Sequence, residues 1–446
     1  MSPTPTPDDL AHRMDRLPVT RLHLLAMLLC AIGMTLDTLE MAFGGVLGAV
    51  FSAPPAPVPA GELGLLLAAV FVGAVIGAPA LGWWADRHGR RSALVALMLW
   101  ICAVSLASAL SQGVGALTVC RFLSGLALGG YPPIVIAYLT DLLPPQRRGT
   151  LIFLSLTLSM LGPPAAIFGV RWLAPLHPLG LDGWRWGFLV GCAGALLSGL
   201  SFLLLPESPR WLHARGREAQ ADAGCRAFER SRVVLALAPL PAAAGARPAR
   251  ALHDDSDAPA GRRWPWVAGL FSLSPWATIA FPLLTGAVLT QRGFKLDAAL
   301  LIFGLSSMGP LLGTLIASTV MDRIERRTAM AACTLAMLAC GAAFNFSSGM
   351  ASLVVAMALF NLAVSLYVPL LTVYGAELFP TRQRASATAG AWALNRMGGA
   401  LGPLLLVPTL RGAGPGAMFA VVAVSLVATL AVLAAAPRGR ERQAVS

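Results

Sequence analysis

Apolar residues run along this chain in long blocks separated by short polar stretches. A helix needs about 20 mostly apolar residues to cross the hydrocarbon core of a bilayer. Blocks of about that length lie at Leu22–Val50, Leu63–Ala85, Ala93–Leu110, Leu117–Thr140, Leu151–Leu173 and Trp186–Leu205. Six more follow at Trp264–Thr290, Leu300–Met321, Met330–Phe346, Leu353–Glu377, Ala385–Leu410 and Ala417–Ala435. Leu, Ala and Gly dominate them and no two-residue alternation appears, so helices are expected rather than a barrel. The pattern predicts an all-α membrane protein of about twelve spans.

Composition agrees with that pattern. Only 12% of the 446 residues are charged, against roughly 25% in a soluble domain. Mean hydropathy is +0.71. The net charge of +12 would suit a nucleic-acid partner were it not distributed by topology. Arg87, Arg90 and Arg91 follow span 2, and Arg147 and Arg148 follow span 4. Arg323, Arg326 and Arg327 follow span 8, and Arg382 and Arg384 follow span 10. The loops after odd-numbered spans hold little beyond Arg171, Arg185, Arg292, Lys295 and Arg411. The positive-inside rule then places both termini in the cytoplasm of an inner-membrane protein and removes the case for nucleic acid. The first apolar run is too long for a signal-peptide core, so span 1 should stay in the protein. Cysteines fall mostly inside apolar blocks and suggest neither a disulfide framework, nor a metal, nor a cofactor.

The two halves repeat at one constant offset. Asp86-Arg87 and Arg90-Arg91 return as Asp322-Arg323 and Arg326-Arg327; Tyr131 returns as Tyr367, Pro133 as Pro369 and Tyr138 as Tyr374. Arg148 returns as Arg384, Gly162 as Gly398, and Asp141 as Glu377 with its charge kept. The chain therefore reads as an N-terminal tail 1–21, a six-helix half 22–205, a linker 206–263, a second half 264–436 and a tail 437–446. Parallel repeats of this kind rock about a site between them. Within the linker, Arg215–Arg232 is expected as a cytoplasmic helix, and the Ala-, Pro- and Gly-rich Ala238–Pro259 as a mobile connection.

Several motifs carry a resemblance. Gly82-Trp83-Trp84-Ala85-Asp86-Arg87-His88-Gly89-Arg90-Arg91 resembles the G-x-x-x-D-R-x-G-R-R loop of the major facilitator superfamily. A glycine permits a tight reversal there, and the Asp can pair with Arg or a helix end. The resemblance implies a cytoplasmic latch built from Gly82, Asp86, Arg87, Gly89, Arg90 and Arg91, with Asp322 and Arg323 as the repeat. Asp141 to Arg148, Glu377 to Arg384, and Pro206-Glu207-Ser208-Pro209-Arg210-Trp211-Leu212 resemble the ionic network of the sugar-porter branch, which adds Glu207 and Arg210 to that latch. Leu36-Asp37-Thr38-Leu39-Glu40 looks like the L-D-G-F-D signature of the aromatic acid:proton symporters, with Thr38 for Gly and Glu40 for Asp. The Gln-Gln pair of sugar porters is missing from Trp264–Thr290, which argues against a sugar.

Asp37, Glu40, Arg121 and Arg396 lie inside spanning blocks, where an ionisable residue is a functional candidate. At ~1.5 Å per residue, Asp37 lies roughly 24 Å from the cytoplasmic face, a depth that Arg121 can share. The resemblance implies an Asp37–Arg121 pair that takes up and releases a proton; a static pair or a snorkelling Arg121 is the alternative. Arg396 falls near the midplane, roughly 18 Å in, where a guanidinium suits a carboxylate. Trp392, Asn395 and Tyr367 are candidate neighbours. Arg396 pairing with Glu377 is the structural alternative. No P-loop is present, so an ion gradient is the expected energy source. The reading is a monomeric, proton-coupled importer of a small organic anion, aromatic or another carboxylate, needing no cofactor and working by alternating access. Cation or drug efflux and sugar or polyol symport are its rivals. No catalytic constellation is present to suggest an enzyme.

Overall fold

The computed structural model describes residues 13–54, 57–176, 178–235, 260–320, 325–379 and 381–437, with backbone alone at 178, 260–262, 317–320, 376, 381–386 and 389. Asp322 and Arg323 fall outside the described residues, as does the stretch 236–259, which holds the expected mobile connection. Among the described residues, eleven helices are long and apolar enough to cross a membrane: Arg21–Val50, Ala60–His88, Arg90–Leu110, Val114–Leu142, Pro145–Leu173 and Gly183–Leu204, then Arg263–Gln291, Leu296–Ile316, Arg326–Phe346, Met350–Gly375 and Gly390–Ala435. The last is 46 residues long, twice what one crossing needs, and turns at Gly414 (φ 85°) just before Pro415. It counts as two crossings, 381–413 and 415–435, so the described residues hold spans 1–12 in chain order.

Breaks in the helices have local causes. Span 5 is interrupted between Ser159 and Gly162 ahead of Pro163 and Pro164. Span 7 contains one turn of π-helix at Trp276–Ala280, in which the Phe281 N–H donates to the Trp276 carbonyl, five residues back. Pro275 precedes that turn and Pro282 follows it; proline lacks the N–H and crowds the carbonyl four residues earlier. Glycine sets the closest helix approaches. A Cβ on Gly73 or Gly77 of span 2 would strike the backbone of span 4 at Phe122 and Leu126. One on Gly309 or Gly313 of span 8 would strike the backbone of span 10 at Ala358 and Leu362. These are the same positions in the two repeats, and small residues there let backbones meet.

The face that carries the N-terminus is covered by the helices Pro209–Ala214 and Glu218–Arg230. The second lies inside the expected Arg215–Arg232. The N-terminal strand straps across it: Val19–Thr20 pairs antiparallel with Val233–Leu235, and Arg13 binds Asp222 at 2.8 Å and Glu229 at 3.0 Å.

The apolar core is uneven across the membrane. One cluster runs through the second half and continues into the part of the first half away from the termini, through Phe43, Leu47, Leu63, Ile167 and Phe188. The first half's terminal side forms its own cluster around Leu94, Leu128 and Leu139. The halves are therefore fused on the far face. Arg171 of span 5 binds Asp297 of span 8 there at 3.0 Å, and Arg411 reaches the Phe51 carbonyl at 3.5 Å.

Candidate functional site

A cavity of about 350 Å³ lies between the halves. Thr38, Met41, Ala42 and Gly45 of span 1 face it, with Phe71 of span 2 and Pro163 and Ile167 of span 5. Thr278, Ile279, Pro282 and Leu283 come from the disrupted turn of span 7 and Phe303, Ser307 and Pro310 from span 8; Asn361, Val364 and Arg396 complete the wall. Its volume lies within the range of small-molecule sites, and its walls are mostly apolar. Among the described residues, Arg396 is the one ionisable side chain that lines it.

Arg396 makes no hydrogen bond or ion pair among the described residues. Glu377 does not pair with it; its Oε1 binds Arg326 at 3.3 Å instead. The charge within electrostatic reach of Arg396 is Asp37, across the interface between the halves. Asp37 is 5% exposed, and its Oδ1 is buried without a partner.

The other candidates for this cavity point elsewhere. Asn395 donates to Ser274 Oγ at 2.9 Å and, more weakly, to the Phe271 carbonyl at 3.5 Å. Adjacent residues on a helix diverge by about 100°, so a neighbour in sequence is not a neighbour in the site. Trp392 packs edge-on against Phe271 at 5.6 Å between ring centres. Tyr367 is buried in the second half with its hydroxyl unpartnered.

The expected Asp37–Arg121 pair is replaced by another. Arg121 Nη1 donates to Glu40 Oε2 at 2.9 Å and Nη2 donates to the Glu40 carbonyl at 3.0 Å. Both residues are 1% exposed. Ser105 Oγ of span 3 donates to the other carboxylate oxygen, and the Phe188 ring of span 6 lies 6.0 Å from the guanidinium carbon. Glu40 sits one turn beyond Asp37, about 4.5 Å further from the terminal face, and this is the turn that Arg121 meets.

The expected latch residues form a layer on the terminal face. Asp86 binds Arg90 at 2.6 Å, and Arg90 also lies 3.9 Å from Asp141. The Glu207 carboxylate accepts from the backbone N–H groups of Arg91 at 2.9 Å and Ser92 at 3.2 Å, the first turn of span 3. A carboxylate is favoured at a helix N-terminus. Arg91 caps the Leu205 carbonyl, and Arg87 stacks on Trp83 at 4.0 Å. The chain reversal is made by Gly89 (φ 109°), while Gly82 lies within the helix. Asp141 and Arg148 do not pair: Asp141 accepts from Ser208 Oγ at 2.8 Å, and Arg148 lies 3.9 Å from Asp15. Arg210 binds Asp15 at 2.5 Å. Asp15 carries no motif that would have singled it out; Ser208 lies inside the Pro206–Leu212 motif, where only Glu207 and Arg210 were expected to act. The Arg384 side chain is not among those described. The pairs Asp86–Arg90, Arg90–Asp141, Arg148–Asp15, Arg210–Asp15 and Arg326–Glu377 each stay on one side of the division between the halves.

The sequence profile of the Major Facilitator Superfamily matches residues 24–403 and again 266–445, nearly the whole chain. The chain belongs to the Major Facilitator Superfamily. A metabolite transport protein of Bacillus subtilis is 27% identical over 89% of this chain and 88% of its own length. The gallate transporter of Pseudomonas putida is 29% identical over 97% of this chain and 96% of its own. The xylose transporter XylE of Escherichia coli, in a partially occluded inward-open conformation, superimposes with a TM-score of 0.70. At 21% identity over 95% of this chain and 98% of XylE, that likeness shows the fold. This chain is a multi-pass membrane transporter of that superfamily, with two six-helix halves.

Proposed function

We propose that the protein imports a small organic anion, an aromatic carboxylate such as gallate, together with a proton. The observation that carries this reading is Arg396: a cation with no hydrogen-bonded partner among the described residues, on the wall of a mostly apolar cavity between the halves. A guanidinium offers a carboxylate two parallel charged hydrogen bonds, and Phe71 and Phe303 offer a ring apolar surface. Asp37 supplies the coupling. While ionised it competes for Arg396; once protonated it leaves the guanidinium to the substrate. Proton and anion then bind best together, which is the thermodynamic content of symport. Glu40, Arg121 and Ser105 hold the charged floor beneath Asp37. The arginines on the terminal face favour that face as cytoplasmic and the membrane as the inner membrane. With the halves fused on the far face, the cavity belongs to an inward-facing state, and the latch pairs stay within each half until the protein turns outward.

A sugar or polyol is the second reading, favoured by the hydroxyls of Thr38, Thr278 and Ser307 and the amide of Asn361 in the same wall. Proteoliposomes with an imposed inward proton gradient separate the two. Labelled gallate should accumulate and labelled xylose should not. Accumulation of xylose alone would overturn the anion reading, and gallate uptake indifferent to the proton gradient would overturn the coupling.

A further inference from the structure

Five buried polar side-chain atoms without a partner among the described residues fall in one strip of the first half: His23 Nε2, Asp37 Oδ1, Ser124 Oγ, Tyr131 Oη and Ser198 Oγ. Buried polar atoms without partners are rare in folded proteins, and ordered water is a common resolution. The strip has a consistent geometry. His23, Cys30, Gly33, Asp37 and Glu40 recur every three, four or seven residues along one face of span 1. Span 4 runs the opposite way beside it, with Arg121 at the level of Glu40 and Tyr131 at the level of Gly33.

Gly33 lets spans 1, 4 and 6 come together in this strip. A Cβ there would strike the Tyr131 hydroxyl and lie 3.4 Å from Ser198 Oγ. The two hydroxyls therefore approach Gly33 from spans 4 and 6, and neither has a hydrogen-bond partner among the described residues. A water with two bonds of about 2.8 Å joins groups up to roughly 5.6 Å apart. The second half provides an internal contrast. Tyr367 repeats Tyr131 and its hydroxyl is equally buried and unpartnered, but the repeat positions of Asp37, Ser124 and Ser198 are Leu273, Phe360 and Ala434. A tyrosine at this point belongs to the repeat; its polar company belongs to the first half alone.

We propose that spans 1, 4 and 6 enclose a narrow file of water, bound by Ser124, Tyr131 and Ser198, that carries the coupled proton between Asp37 and the terminal face, apart from the substrate cavity. This rests on the proton-coupled reading above. A proton leaving Asp37 is taken by the first water, which releases another to the next; one proton emerges beside His23, and no water is consumed. Asp37 stands at the junction, with Arg396 and the cavity on one side and the water file on the other. Of the cavity-facing residues of span 1, Thr38, Ala42 and Gly45 lie on the neighbouring face of the helix, and Met41, one turn beyond Asp37, borders the strip.

Two measurements on the full-length protein test this. In radiolytic hydroxyl-radical footprinting of the detergent-solubilised protein, radicals form at bound water. Tyr131 should be oxidised at least several-fold faster than Tyr367, which is as deeply buried. Equal, slow oxidation of the two would overturn the water file whether or not transport is proton-coupled. In proteoliposomes, Ser198→Ala and Gly33→Ala should lower proton-driven gallate accumulation about tenfold or more while leaving gallate counterflow within about twofold. Gly33→Ala risks a clash with Tyr131, so the Gly33→Ala/Tyr131→Phe double variant, which removes the hydroxyl, serves as the folded control and should remain uncoupled. Coupled uptake at the wild-type level in Ser198→Ala and the double variant would sink the proposal. Wild-type protein that moves gallate without protons would instead sink the coupling reading, and footprinting alone would then decide whether the strip is wet.

Discussion

The two halves share a backbone plan and differ in where they bury charge. Tyr138 and Tyr374 occupy one repeat position, and each donates to the carbonyl of a proline, Pro206 and Pro437. Asp141 and Glu377 occupy another, and each lies near the arginine that opens the third span of its own half, Arg90 at 3.9 Å and Arg326 at 3.3 Å. Inside the membrane the likeness ends. Asp37, Glu40 and Arg121 have Leu273, Trp276 and Met357 as counterparts, while Arg396 answers to Met160. The first half thus holds a self-contained charged cluster, and the second presents one cation to the cavity. In the proton-coupled reading proposed above, the second half's cation holds the anion and the first half's acid holds the proton. An ancestral repeat supplies the frame, and a handful of substitutions inside it supply the chemistry.

Breaking the charged cluster should have the largest effect. Glu40→Leu leaves Arg121 buried without its carboxylate, and removing one partner of a buried pair costs about 3–5 kcal/mol. The expected outcome is low yield and a thermal unfolding midpoint well below wild type. Glu40→Leu with Arg121→Met gives the first half the apolar character of the second. It should recover most of the lost stability, since an apolar replacement of the whole pair is close to neutral. The double variant should nonetheless fail to accumulate gallate. A double variant no more stable than Glu40→Leu would mean that the pair acts through something besides its mutual charge.

Altering the second half's single cation comes next. Arg396→Ala should fold normally, since Arg396 has no hydrogen bond or ion pair among the described residues to lose. Each charged hydrogen bond to a carboxylate contributes roughly 1.5–3 kcal/mol, so gallate affinity should fall about tenfold or more. Arg396→Lys should recover part of it, because an ammonium cannot reproduce the planar fork. Thermal shifts across a gallate titration measure both. Unchanged affinity in Arg396→Ala would move recognition to the hydroxyl-bearing wall and favour the sugar reading.

How much of this was legible in the sequence follows the same division. The spans and the repeat register were readable because apolar blocks and paired motifs are set by the bilayer and by duplication. The glycine contacts of spans 2 and 8 obey that register to the residue. The partner of Arg121 was not readable. Asp37 and Glu40 are one turn apart, and counting residues from a loop gives depth no more finely than that. Asn395 and Trp392 adjoin Arg396 in sequence yet point at Ser274 and Phe271, since neighbours on a helix face different ways. Asp15, Ser105 and Ser198 are single polar residues whose meaning comes only from what another helix places against them.

Smaller effects should come from the first half's terminal face. Gly89 holds φ 109° and ψ 151°, a conformation open almost only to glycine, and a Cβ there would strike the Glu207 carboxylate and crowd Trp211. Gly89→Ala should cost about 1–3 kcal/mol and loosen the Glu207 cap on span 3. Faster proteolysis at the loop between spans 2 and 3 is the expected readout, and wild-type resistance would show that the loop can relax elsewhere.

The smallest effect concerns the strap, which has no counterpart among the described residues of the second half. Arg13 binds Asp222 on the covering helix, and this hydrogen-bonded guanidinium holds the Asp222 carboxyl below the usual carboxylate range. The folded-state pKa is thus lower than the unfolded one. The pair's stabilisation is fully present above the ordinary carboxylate pKa of about 3.9 and is lost as pH falls through the folded value. Arg13 and Asp222 are both about a quarter exposed, so the contribution should stay under about 1 kcal/mol and shrink with salt. Arg13→Ala should therefore lower the unfolding midpoint slightly at pH 7, and the difference from wild type should shrink as pH falls below the ordinary carboxylate range. A difference that persists unchanged in acid would assign the strap's hold to the burial of Met14 and Val19 rather than to its charges.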